Sequence, residues 1–345
     1  MVWTQDASLA EDLPAMPERP AVKHIGIALL LLSCSRPDEP SSRDALPETL
    51  VQVDLVPAEA ASKPEPKKFD FELGEFSTLF KFKNDFENRG HNIQITASLL
   101  STVWSIAEDG NDYGGQYLNA GEEFSFNSVV GPRITERSFK MAPEILFGEM
   151  TPGVGGGTCQ VSSTIHAAAI YSGIKVLYRK AHSRPASYMP PGLDATTNYP
   201  PECNGLHEKN AWNGKNPKCT ALDLKLKNQY SFPVLLKMKV EDFDEKQQKL
   251  TATFYGTEKP PFDVIDTRWS EAVLGKPFEQ KFRVTNKWRN DRRKKVQDGR
   301  PGRSGSLLVI TTDLGGKRQE FRIPTEYEPV HEVWEVGLGW TPLTP

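Results

Sequence analysis

Hydrophobic positions along the chain fall into three regimes. Residues 1–68 hold one dense apolar block, Ile25-Gly26-Ile27-Ala28-Leu29-Leu30-Leu31-Leu32, between polar stretches rich in proline. From Phe69 the pattern acquires a period. Phe69 to Ser77 mixes aromatic and polar positions and predicts an extended lead-in. Asn84 to Trp104, with Ile93, Ile95, Leu99, Leu100, Val103 and Trp104 apolar, predicts a helix or a strand–helix pair. Gly131-Pro132-Arg133 predicts a turn and Met150 to Gly157 a glycine-rich loop. A helix is expected from Cys159 to Tyr171, with Thr158 as N-cap and Ser172-Gly173 as its end. Val161, Ile165, Ala168 and Ala169 give it a small-residue apolar stripe, and Ile174 to Tyr178 follows as a strand. Beyond Ala221 the period shortens to two, first in Leu222-Asp223-Leu224-Lys225-Leu226. Phe232 to Val240, Leu250 to Phe254, Lys281 to Val284 and Leu307 to Thr312 are further strands between glycine and proline breakers.

The expected fold class is therefore α+β, a central mixed domain with a cysteine at a helix N-terminus followed by a mostly β C-terminal region. The expected boundaries are a leader at 1–34, a tether at 35–68, a central domain at 69–240 with an insertion at 200–220, and a β-rich domain at 241–345.

The leader reads as an address. Lys23-His24 precede the apolar block, which is too short to span a bilayer and has the form of a secretory signal. Its ending, Leu31-Leu32-Ser33-Cys34, resembles a bacterial lipobox, which makes Cys34 the expected lipidation site. Residues 35–68, rich in Ser, Pro, Glu, Asp and Ala, read as a flexible tether. The expected location is the bacterial cell envelope, as a periplasmic lipoprotein. Ser35 after the cysteine gives no inner-membrane retention signal, which favours the outer membrane. A formal net charge of −3 over 345 residues provides no basic field for nucleic acid, and the run Lys287 to Lys295 reads as solvated.

Four cysteines, Cys34, Cys159, Cys203 and Cys219, are too few for a disulfide scaffold and show no zinc-like spacing. The informative one lies in Gly153-Val154-Gly155-Gly156-Gly157-Thr158-Cys159-Gln160-Val161-Ser162-Ser163-Thr164. Glycines there let the backbone take positive φ and approach a partner closely. A cysteine in the first turn meets unpaired N–H groups and the positive helix end, both favouring a thiolate. A thiol nucleophile needs a base, and His182 is the first choice. His166, about 10 Å along the helix by rise, reaches poorly, and His91 stays open. The competing reading is a buried cysteine behind a tight turn. The segment does not complete a P-loop, because no lysine follows at the required position.

Four blocks carry a family resemblance: Gly121-Glu122-Glu123-Phe124-Ser125-Phe126-Asn127 with Val130-Gly131-Pro132-Arg133; Gly155 to Thr164; His182-Ser183-Arg184-Pro185 on through Tyr188 to Ala195; and Asp223-Leu224-Lys225-Leu226-Lys227-Asn228. In order and residue type they resemble the VanW family over residues 70–240. Asp298-Gly299-Arg300-Pro301-Gly302 and the later Thr325 to Pro329 look loosely like a G5-type extension. Some VanW members are L,D-transpeptidases that form 3-3 peptidoglycan cross-links through the cysteine of the glycine motif. The resemblance thus implies Cys159 as nucleophile, His182 as base, and Asp194 as a further catalytic group. Arg133, Gly155, Gly156, Gly157, Gln160, Ser183, Arg184 and Tyr188 are the implied substrate-binding residues. Arg133, Arg184 and Asp194 would orient the base or hold substrate carboxylates. Peptidoglycan stem peptides are the implied partners, with the membrane met through the lipid anchor and no cofactor or metal required. Residues 200–220 depart from the family pattern, and Cys203 and Cys219 within them would close a disulfide in an oxidising compartment. The alternatives are a non-catalytic envelope binding or scaffolding module and a thiol carboxypeptidase or amidase on wall peptides.

Overall fold

Two alternating runs, both rich in buried Phe and Leu, form the centre of the structure. β2 (Phe71–Lys81) pairs antiparallel with β10 (Gln247–Gly256), and β10 with β9 (Val234–Asp242). The five-stranded sheet has the order β1-β2-β10-β9-β3, with β1 (Val2–Trp3) parallel to β2 and β3 (Gln116–Leu118) at the far edge. The computed structural model describes residues 2–3, 65–102, 107, 110–146, 149–199, 221–287 and 292–340. They all fall in one compact unit, Met1–Asp6 with Pro64–Pro345. Of the expected leader and tether only residues 2–3 and 65–68 are among these, and the insertion, with Cys34, Cys203 and Cys219, lies outside the described residues. Among the described residues no helix is long and apolar enough to cross a membrane.

Two helices cover one face of the sheet. α1 (Glu87–Thr102) packs on β9 and on α3 (Thr158–Tyr171), which lies over β2 and β10. A short α2 (Phe126–Val130) is capped by the Ser125 hydroxyl, which accepts from the Ser128 N–H. Phe76, Phe80, Leu250, Ala252 and Phe254 from the sheet meet Ile93, Leu100, Val161, Ile165 and Ala168 from the helices in one core. Each fully buried Phe or Leu there contributes about 1.5–3 kcal/mol. The expected apolar stripe understates α3. Of its 14 residues only Cys159 and Tyr171 escape full burial. Ser162, Ser163 and Thr164 enter the core because neighbouring groups satisfy them: Ser162 and Ser163 donate to the Ala195 carbonyl, and Thr164 bonds Thr78 at 2.9 Å. The first helical residue is Thr158, and the cap position passes to Gly157 at φ 104°.

Strands dominate the rest. β4 (Glu123–Ser125), β8 (Lys225–Lys227) and β7 (Lys175–Tyr178) form a small sheet in the order β4-β8-β7. β5 (Met141–Leu146) and β6 (Glu149–Val154) make a hairpin. The C-terminal part holds two three-stranded sheets. One is β11 (Phe262–Leu274), β14 (Arg303–Asp313) and β15 (Arg318–Tyr327); the other is β12 (Gln280–Val284), β16 (Glu332–Val336) and β13 (Arg293–Gln297).

The α+β expectation is corrected on this count. Among the described residues 43% are strand and 18% helical, in three α-helices and mostly antiparallel sheets, so the protein is mostly β rather than a balanced mixture. The reason lies in strands that bury little. β13 and the first half of β15 (318–322) are largely exposed, so neither shows an in-out alternation of apolar residues. The β5–β6 hairpin sets Pro143 opposite Pro152 and runs into the glycine motif, so its second strand carries loop composition.

Candidate active site

The glycine motif leads straight into α3 through two left-handed residues, Gly155 at φ 92° and Gly157 at φ 104°. Asn92 on α1 fastens the loop by donating to the carbonyls of Gly156 and Lys140 at 2.9 Å each. Thr158 and Gln160 spend their N–H groups on the carbonyls of Gly155 and Gly157. The N–H of Cys159, between them, has no backbone acceptor among the described residues. Cys159 is the free, half-exposed residue of an otherwise buried first turn.

The segment 194–197 crosses this helix end. Cys159 Sγ donates to the Thr197 carbonyl at 3.2 Å, and the Thr197 N–H and Thr196 hydroxyl lie 3.5 Å from the sulfur. Ala195 is pinned at its N–H by the Ser163 hydroxyl at 2.9 Å. The polar face of α3 therefore aligns the segment that surrounds the thiol.

His182 is buried, and its Nδ1–H donates to Asp194 Oδ2 at 2.8 Å. Its backbone N–H donates to the same oxygen at 2.7 Å. This commits Nδ1 to the carboxylate and leaves Nε2 unspent, with the ring and the Cys159 thiol near enough to shift each other's titration. The ring stands edge-on to Tyr188, with centroids 6.4 Å apart. Asp194 is buried yet fully satisfied. Its other oxygen accepts from Arg179 Nη2 at 3.1 Å and from the Tyr327 hydroxyl at 2.6 Å. Tyr327 in turn accepts from the Gly192 N–H at 2.8 Å, and Arg179 Nη1 donates to Thr325 at 2.9 Å. An unpaired buried carboxylate costs several kcal/mol, so these donors are what permits a charge here.

The electrostatics follow. Burial alone would raise the Cys159 thiol, but the His182 hydrogen bond and positive charge, aided by Thr197 and Thr196, bring it down to about 7. Burial works against charge on His182 too, yet Asp194 and Cys159 lift it to about 9. Burial opposes the Asp194 charge, and His182, Arg179 and Tyr327 together hold the carboxyl far below its usual range. The thiol is thus about half ionised at neutrality, and between about 7 and 9 the favoured state is a thiolate–imidazolium pair backed by a carboxylate.

The remaining candidates divide. Arg133 stands beside the site, with Nη1 on the Gly131 carbonyl at 3.1 Å and Nη2 at 3.5 Å from Thr197 Oγ1. Gln160 faces inward and is buried. Its amide nitrogen donates to Thr78 and the Leu79 carbonyl, and its oxygen accepts from Arg89 Nη2 at 2.7 Å. Tyr188 is a buried wall of the histidine rather than an open contact, and its hydroxyl lies 3.4 Å from Ser163. Ser183 and Arg184 sit half-buried in the loop after His182. His166 points into the core, its Nδ1 on the Leu193 carbonyl at 2.8 Å, and burial with the Arg179 charge lowers it to about 4. His91 binds the Ser138 carbonyl at 2.9 Å. The sequence reading missed Arg89, Arg179, Thr196, Thr197 and Tyr327. For Arg179 a signal existed, since it lies three positions before His182 at the end of a strand.

Comparison with known proteins agrees with the four blocks. The family model described as VanW like protein matches residues 88–255. The uncharacterized protein YoaR of Bacillus subtilis (strain 168) is 34% identical over 168 residues, 49% of this chain and 44% of that protein. The chain thus spans less than half the length of the curated relative it matches. A solved structure titled "Crystal structure of HP0197-G5" aligns over 23% of this chain and 100% of its own at 19% identity, with a TM-score of 0.13.

Proposed function

Since residues 88–255 form a VanW-like domain, we propose that this protein is a cysteine acyl transferase of the bacterial cell envelope that acts on peptidoglycan stem peptides. The observation that carries the reading is the grouping of Cys159, His182 and Asp194, with Nδ1 of the histidine on the carboxylate and the imidazole close enough to the sulfur to lower the thiol. In the first step the Cys159 thiolate attacks the carbonyl carbon of the third stem residue. The scissile C–N bond breaks, His182 gives its Nε2 proton to the departing D-Ala amine, and a thioester remains. The N–H of Cys159, which has no backbone acceptor among the described residues, is the donor assigned to the developing oxyanion in this reading. In the second step a side-chain amine of a neighbouring stem attacks the thioester, its proton passes to His182, and the C–S bond breaks to restore the thiolate beside a protonated histidine. This yields a 3-3 cross-link; water as acceptor would yield a shortened stem.

The test is intact and peptide-level mass spectrometry of the full chain after incubation with a disaccharide-tetrapeptide, beside Cys159→Ala. A Cys159 thioester with release of D-Ala, and 3-3 dimers as product, is the expected result. A folded sample with a free thiol that yields neither adduct nor D-Ala overturns the reading and leaves a non-catalytic envelope module.

A further inference from the structure

We propose that Arg89 and Arg133 form a two-cation seat astride Cys159 that receives the terminal carboxylate of the acyl donor. This rests on the acyl-transfer reading above and adds what selects the donor.

The two side chains enter through space that only glycine leaves. A Cβ on Gly155 would lie 2.7 Å from Arg133 Cβ, and one on Gly157 would lie 3.0 Å from Arg89 Cγ. The arginines therefore pack against the loop at either side of Gly156, immediately before the nucleophile. Both guanidiniums are one residue removed from the sulfur. Arg89 bonds Gln160, the neighbour of Cys159 in the chain, and Arg133 bonds Thr197, whose carbonyl and N–H touch Sγ. Aromatic faces hold them in place: Tyr188 under Arg89 at 6.0 Å, Phe126 and Tyr199 about Arg133 at 5.3 and 5.8 Å.

All these partners are neutral. Neither arginine makes an ion pair among the described residues. Each guanidinium has five N–H donors; Arg89 uses one of its donor nitrogens and Arg133 two. Nearby carboxylates are committed elsewhere. Asp223 accepts from the Ser125 hydroxyl and from the N–H groups of Asn127 and Leu224, and Asp194 from His182, Arg179 and Tyr327. Two half-buried cations that pair with no carboxylate are costly, and only Arg133 feels a fixed one nearby, the charge of Asp223. In the resting site the Cys159 thiolate supplies a negative charge to both. That charge leaves the sulfur as it attacks the carbonyl. A donor that brings its own terminal carboxylate offsets both cations through the tetrahedral step, until the C–N bond breaks and the terminal residue departs with it, and a planar guanidinium suits a carboxylate in particular.

The experiment compares alkylation of Cys159 in the full chain by iodoacetate and by iodoacetamide, read at the Cys159 peptide by mass spectrometry. The two reagents deliver the same carbon to the same sulfur, one with a carboxylate and one without. Relative to a small free thiol, the iodoacetate/iodoacetamide rate ratio is expected to rise about tenfold. It should return toward the free-thiol value in Arg133→Gln and in Arg89→Gln, and persist in Arg133→Lys. A parallel arm offers a donor peptide as free acid and as C-terminal amide, with the acid preferred by the wild-type chain and the preference reduced in the same variants. An alkylation ratio equal to that of a free thiol, or one unchanged in both Gln variants, overturns the seat. Acylation by acid and amide alike, with no iodoacetate preference, overturns the seat and leaves acyl transfer standing. Iodoacetate preference with no acylation by any wall peptide keeps the seat and overturns the proposed function. A Cys159 inert to both reagents in folded protein overturns both.

Discussion

The helix-backed central region and the C-terminal strands differ in how they are built. Around α3 nearly every side chain is buried, and polar groups such as Ser163, Asn92 and Gln160 are spent on positioning backbone. The C-terminal sheets expose Phe282, Val284 and Phe321. Yet the exposed region reaches back with one buried residue, Tyr327, to the carboxylate that orients the histidine. The segment that matches the family ends at 255, while a hydrogen bond on which the site depends comes from residue 327. A reactive thiol is thus a property of both regions, although the reacting atoms belong to one.

Substitutions sharpen this division, beginning with the proposed nucleophile. Cys159→Ala should remove acyl transfer by roughly 10⁴-fold or more, measured as turnover of the stem peptide, with the fold intact by circular dichroism. Asp194→Asn should reduce turnover by roughly 10³–10⁴-fold, because the histidine loses its tautomer and its counter-charge. It should also lower stability in urea by about 3–5 kcal/mol, since Arg179 keeps a buried charge without its partner. Tyr327→Phe should cost about tenfold in turnover, the effect of one hydrogen bond to a charged acceptor. It should also shift the alkylation midpoint of Cys159 upward from about 7, as a weaker Asp194 supports His182 less. Unchanged turnover and midpoint in that variant would make the two regions independent and break the comparison.

The pH dependence carries the same logic. The thiol has a lowered pKa, so the thiolate is lost as pH falls below about 7, and alkylation at pH 6 should run about tenfold below its plateau. His182 has a raised pKa, so its proton is lost above about 9, and acyl transfer should fall on that side while alkylation does not. These apparent values belong to the coupled pair. At the small end, Val284→Thr on the exposed β12 should change stability by no more than about 0.5 kcal/mol.

Part of this was legible in the sequence. Cys159, His182 and Asp194 stand in compact blocks whose glycines, turn residues and polar runs differ from ordinary core sequence. The helix after the glycine loop was legible because its apolar positions repeat and Ser172-Gly173 ends it. Arg89 was not, since an arginine in a first helical turn looks like any solvated charge. Nor was Tyr327, whose bond to Asp194 joins residues 133 apart in sequence. Gln160 was misjudged for a related reason: adjacency to a nucleophile along the chain says nothing about which side of the helix a residue faces. The fold class failed on strands such as β13 and the first half of β15, where pairing of backbone groups, rather than burial of alternate side chains, defines the element.

The Tyr327–Asp194 bond also has a meaning in time. A polypeptide is made from its N-terminus, so Cys159 and His182 exist well before the residue that helps hold their carboxylate. Until β15 is in place, Asp194 lacks one donor from Tyr327, and Arg179 lacks its contact with Thr325. A nascent or clipped chain ending before those residues is expected to carry a thiol closer to an ordinary one, since the donors that hold Asp194 charged are complete only once β15 is made.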